Sequence, residues 1–145
     1  MTIKRDRLIH EHIHEKGNVW PTVGAGGAGW VAGTNVAANA VAGTFGNYAI
    51  VIPAATVTLP FDIHWANIET IGTNGSYEMI IAIGAPGAEV EVSRIRFVRF
   101  AGNEPVNGRP VITPVLPANS AVSVKIAHST AVAAQITVSL CYHTY

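Results

Sequence analysis

Apolar residues fall on every second position near the end of the chain: Val122, Val124 and Ile126, then Ile136, Val138, Leu140 and Tyr142. A period of two belongs to a strand, whose successive side chains leave on opposite faces. The intervening His128–Ala134 has the length of a turn, so the chain is expected to close in an antiparallel hairpin with one buried face. The same texture predicts strands at Tyr48–Ile52, Phe61–Ile71, Tyr77–Gly84, Val90–Phe100 and Val111–Val115, beside Ala121–His128 and Gln135–His143. Turn residues separate them: Pro53, Pro60, Gly72 to Gly75, Ala85-Pro86-Gly87, Gly102-Asn103, Asn107 to Pro110 and Pro117 to Ser120. Asn74-Gly75 between two strand patterns is a hairpin signal. Short strands at this spacing, with no helical segment longer than a turn, predict an all-β fold, an antiparallel β-sandwich or jelly roll.

Before the strands the texture changes twice. Residues 1–18 are polar and carry Lys4, Arg5, Asp6, Arg7, Glu11, Glu15 and Lys16. This stretch reads either as a short helix, with Leu8, Ile9 and Ile13 at helical spacing, or as an extended segment with Leu8, His10, His12 and His14 on one face. We expect an N-terminal arm outside the core that lies on a neighbouring subunit. Residues 19–145 form a single sandwich domain, opening with a Gly/Ala-rich segment over 19–46 that is nearly free of charge.

Composition sharpens this picture. A chain of 145 residues suits one domain with a sizeable core. Charged residues make up 12%, about half the usual share, against 49% hydrophobic. Two explanations stand side by side: Ala and Gly inflate the apolar count, or much of the surface is buried against other subunits. Nine acids balance nine bases, which removes the electrostatic footprint of a nucleic-acid binder. The lone Cys141 excludes an internal disulfide framework and reads as a half-buried structural thiol. The charged start lacks the apolar stretch of a signal peptide, and no segment reaches the length of a membrane span, so cytoplasmic synthesis and no membrane partner are expected.

Few residue groups suggest chemistry. His10, His12 and His14 alternate as metal ligands do, yet zinc sites of the structural kind use cysteine and fixed spacing. A polar arm contacting a subunit explains them as well, and no metal or cofactor is assigned. Val23 to Gly29 is glycine-rich, but no Lys-Ser/Thr follows, so it is not a phosphate loop; Trp20 and Trp30 bracket it. Asp62 and His64, with Glu69 beyond, offer an acid-base pair or a polar ladder on a strand surface, and the ladder is favoured. Arg94, Arg96 and Arg99, with Glu89 and Glu91 nearby, favour salt bridges within the fold or across an interface. Trp65 shares a strand face with Phe61 and Ile63 and reads as core, the alternative being a sugar-stacking platform. With no nucleophile in a recognisable setting, the chain is not read as an enzyme.

Several segments in order carry a family resemblance. They are Phe61-Asp-Ile-His-Trp-Ala-Asn-Ile-Glu-Thr-Ile71, Gly75-Ser-Tyr-Glu-Met79, Arg94-Ile-Arg-Phe-Val-Arg99, Pro117-Ala-Asn-Ser120, Val124-Lys-Ile-Ala127 and Val138-Ser-Leu-Cys-Tyr-His-Thr-Tyr145. Together they resemble small virion structural proteins of tailed bacteriophages, over roughly residues 50–145. The resemblance implies a jelly-roll-like domain in a phage particle. It implies a capsid decoration (cement) protein that stabilises the head by bridging capsomers, often as a homotrimer on the major capsid protein. Fibre, tail-tip and collar proteins that bind a host glycan or another virion protein use similar domains and form the alternative. Under the first reading the expected contact residues are Arg5, Arg7, His10, His12, His14 and Trp20.

Overall fold

In a computed structural model, residues 18–22, 31–99 and 108–145 are described. Residues 1–17 of the expected arm, with Arg5, Arg7, His10, His12 and His14, lie outside the described residues, as do the glycine run and Trp30; Asn18, its last residue, opens the first strand. The described residues contain strands and turns and no helix, so none offers a helix long and apolar enough to cross a membrane.

The strands are β1 (Asn18–Trp20), β2 (Thr34–Ala37), β3 (Ala49–Ile52), β4 (Phe61–Ile71), β5 (Gly75–Ile83), β6 (Val90–Arg99), β7 (Gly108–Pro110), β8 (Val122–His128) and β9 (Gln135–Thr144). They make two antiparallel sheets. One runs β1-β9-β4-β7, with β2 also on the β1 side of β9: β1 pairs with the C-terminal half of β9 and β2 with its N-terminal half. The other runs β3-β8-β5-β6. The all-β sandwich expected from the alternation is the fold found.

The sheets meet through the apolar faces that the alternation marks. Phe61, Ile63, Ile68, Ile136, Val138 and Leu140 come from one side, and Met79, Ile81, Val122, Val124 and Ile126 from the other, each at most 2% exposed. Burying each such side chain contributes about 1.5–3 kcal/mol. Phe61 meets Tyr142 edge-on at 5.9 Å.

Two turn assignments are corrected by the pairing. β8 and β9 do not form a hairpin: β8 pairs with β3 and β5, β9 with β1, β2 and β4. Residues 129–134 therefore cross from one sheet to the other. The two alternating faces do pack on the core, but across it from one another rather than side by side. Asn74-Gly75 likewise joins β4 and β5 in different sheets. Among the described residues, the connection that is a hairpin is β5–β6. Its Ala85-Pro86-Gly87-Ala88 turn closes with Ala88 N–H donating to Ala85 O at 2.9 Å, Gly87 taking a φ of 83°. Pro then Gly at the two central positions is the type II pattern.

The edges also depart from expectation. Val111–Val115 is not a strand; the pairing falls instead on β7, Gly108–Pro110, with Leu116 forming an isolated bridge to Phe61. Pro110, Pro114 and Pro117 withhold backbone donors, which keeps this edge short. The Gly/Ala-rich segment contributes β1 and β2 to the first sheet.

Candidate functional site

The outer face of the β9-β4 pair brings Asp62, His64 and His143 together. Register places Asp62 directly opposite His143. Between Ile63, paired with Tyr142, and Trp65, paired with Cys141, the ladder slips by one residue, so His64 is the extra residue of a bulge. Inward positions are Phe61 and Ile63 before the slip and Ala66 and Ile68 after it, all buried. His64 and Trp65 thus both turn outward, and His64 joins Asp62 and His143.

The His64 and His143 rings stack, with centroids 3.8 Å apart and planes 9° from parallel. Asp62 Oδ1 lies 3.5 Å from His143 Nδ1, is closed to solvent and accepts no hydrogen bond. Its other oxygen, Oδ2, accepts a 2.6 Å hydrogen bond from the Tyr145 hydroxyl. Tyr145 is anchored in turn by its N–H donating to Pro60 O at 2.9 Å. The carboxylate hydrogen bond, with burial and the Asp62 charge behind it, pushes the Tyr145 phenol up to about 12. The hydroxyl therefore stays a donor. The ligand-type atoms of Asp62, His64 and His143 all lie within 4.8 Å of one another.

Further along the same face sits Trp65, half-buried. It is not in the core with Phe61 and Ile63, because the bulge reverses its phase. Its indole lies over Gly108 of β7, where an added Cβ would collide with Trp65 Nε1. Asn67 Nδ2 donates to Ser139 Oγ at 3.3 Å and to Cys141 Sγ at 3.5 Å. Burial raises the Cys141 thiol's pKa, only partly offset by Asn67. Glu69 stands apart from Asp62 and His64: its Oε2 accepts from Gly33 N at 2.8 Å, tying the approach to β2 onto β4.

The outer face of the second sheet carries the arginine strand. Glu78 takes Arg94 at 2.5 Å and Arg96 at 2.7 Å, while Arg94 also reaches Glu91 at 2.7 Å. These are the expected salt bridges, made within the fold. Glu89 is not among their partners; it accepts from Gly87 N at 2.9 Å. Hydrogen bonds from Arg94 and then Arg96 hold the Glu78 carboxyl below the usual carboxylate range. Phe45 sits under two of the cations of this face, its ring centre 5.6 Å from the Arg94 guanidinium and 5.4 Å from Lys125 Nζ.

Of the expected contact residues, Trp20 is described: it ends β1 opposite Leu140, half-buried and packed against the core. The sequence shows Asp62 and His64 as a spaced pair but carries no local sign of His143 and Tyr145 beside Asp62, or of Gly108 beneath Trp65. The i, i+2 spacing of Asp62 and His64 was the local signal. Their meeting with His143 depends on β4–β9 pairing, which no short window of sequence contains. Compared with known proteins, the chain matches no family model, no curated protein and no solved structure.

Proposed function

We propose that this chain is a structural subunit of a tailed-bacteriophage virion, a capsid decoration protein that works as a homotrimer and bridges neighbouring capsomers. One observation carries the reading: the strand order β2-β9-β4-β7 facing β3-β8-β5-β6. Strands two to nine alternate between sheets at every step except the β5–β6 hairpin, which supports the jelly-roll form that viral shell proteins use. The segments that carry the resemblance fall mainly on β4, β5, β6, β8 and β9, the strands that build both sheets. In this reading the sandwich is a rigid block and residues 1–18 reach across a neighbour. A protein that binds only the assembled shell stabilises it by mass action.

The test is its copy number in particles of the phage that encodes it. Decoration predicts a band comparable with that of the major capsid protein, and heads that lose heat or osmotic resistance when the protein is missing. Deleting residues 1–18 should abolish capsid association. A few copies per particle, or heads indifferent to its loss, would overturn the proposal.

A specific observation favours a second reading, a fibre or tail-tip module that binds a host glycan. Trp65 faces outward over Gly108, on the same strand face as the polar side chains of Asp62, His64 and Asn67. An aromatic ring flanked by hydrogen-bonding groups is the makeup of a sugar-stacking surface. Loss of cell binding on Trp65→Ala, with few copies per particle, would select it over decoration.

A further inference from the structure

We propose that Asp62, His64 and His143 bind a divalent transition-metal ion, with zinc as the fitting probe, on the outer face of the β9-β4 pair. The donor set is two imidazole nitrogens and one carboxylate oxygen. Imidazole suits zinc and its first-row neighbours, whereas calcium and magnesium prefer oxygen throughout. The three residues stand on two hydrogen-bonded strands, with Asp62 and His143 in direct register and His64 brought alongside by the bulge. Their placement is therefore set by the sheet rather than by a loose loop.

A second observation points to a cation. Asp62 Oδ1 is closed to solvent, accepts no hydrogen bond and lies beside His143 Nδ1. A buried carboxylate oxygen in that condition calls for a positive partner. Tyr145 occupies Oδ2 and so orients the carboxylate, as an outer-shell donor does for a ligating group. Ligand atoms about 2.0–2.2 Å from zinc stand roughly 3.4 Å from each other in a tetrahedron. The present atoms are within 4.8 Å. Binding thus requires the stacked rings to tilt and the cluster to draw in by about an ångström or more, a movement of side chains alone. Three protein ligands leave a fourth position for water or for a side chain of another molecule. The ion would pin the end of β9 to the start of β4.

Zinc titration of the full chain by calorimetry, checked by competition with a chromogenic chelator, tests this. The expected result is one ion per chain at this site and a rise in Tm with zinc. Asp62→Asn, His64→Ala and His143→Ala should each weaken binding at least about tenfold, and Tyr145→Phe by about tenfold as an outer-shell change. The variant lacking His10, His12 and His14 should keep the ion. If a histidine variant does not fold by circular dichroism, Asp62→Asn and Tyr145→Phe decide the matter, since both preserve shape. The proposal is overturned if the wild-type chain binds no zinc, if Asp62→Asn binds as wild type, or if the ion disappears with the arm histidines.

Discussion

The indole of Trp65 fills the space that a side chain at position 108 would need. Gly108 is thus required by close approach, not by turn geometry. It lies on β7 opposite Asn67, on the strand that flanks β4. Replacing it with alanine would force the ring off its seat. We expect Gly108→Ala to cost about 1–3 kcal/mol in urea unfolding, the usual range for an overpacked site. Trp65 emission should shift to the red as the ring gains solvent, read against a Trp65→Phe background. Unchanged stability and emission would mean that the ring does not rest on Gly108.

Gly75 is required for a different reason. Its φ is 144°, and a Cβ there would stand 2.5 Å from His128 Nε2. That imidazole is 1% exposed, with Nε2 3.1 Å from Asn74 O and Nδ1 accepting from Thr130 N at 3.2 Å. Gly75→Ala should cost about 1–3 kcal/mol through collision with a buried ring, with backbone strain added. Combined with His128→Ala, its cost should shrink, because residues in contact are not additive. Strict additivity in the double-variant cycle would refute the contact.

Alternation located β4, β5, β6, β8 and β9 to within a residue or two at each end, because each turns an apolar face to the core. It could not say which strand pairs with which. Val122 to Ile126 and Ile136 to Tyr142 have the pattern of a hairpin, yet face each other across the core, since period two reports that a face is buried and not what covers it. The three-residue β7, ending at Pro110, is too short to show a period. A bulge at His64 is silent in composition, so strict alternation puts Trp65 on the wrong face and shows the Asp62–His64–His143 cluster only as a pair on one strand. The polar character of the site was legible; its assembly was a matter of long-range register.

Glu78 predicts an acid-sensitive element of stability. Its carboxyl titrates below the ordinary range because Arg94 and Arg96 hydrogen-bond to it. The folded form therefore binds fewer protons than the unfolded one in this window. The stabilisation is fully present above about pH 4.3, the unfolded carboxyl's value, and is lost as the pH falls through the folded value. Glu78→Gln should be less stable than wild type at pH 7, where it leaves two arginines facing each other. The gap should close on acidification towards pH 3 and narrow in high salt. Urea midpoints of the two proteins across that range provide the check, and a gap that is constant with pH would refute the assignment.

Cys141 should behave as a protected thiol. It lies half-buried on the outer face of β9 with Asn67 Nδ2 at 3.5 Å, and burial raises its pKa. Only the thiolate attacks a disulfide reagent. At pH 8 the native chain should therefore react with such a reagent far more slowly than the urea-unfolded chain, and the native rate should still be climbing when the unfolded rate levels off. The sign for stability follows from the same shift. Above the unfolded thiol's ordinary value of about 8.5 the unfolded chain gives up a proton that the folded chain keeps, so stability should fall as pH rises there. Cys141→Ser should flatten this alkaline decline. Native and unfolded rates that coincide would show instead that the strand leaves the sulfur open to solvent.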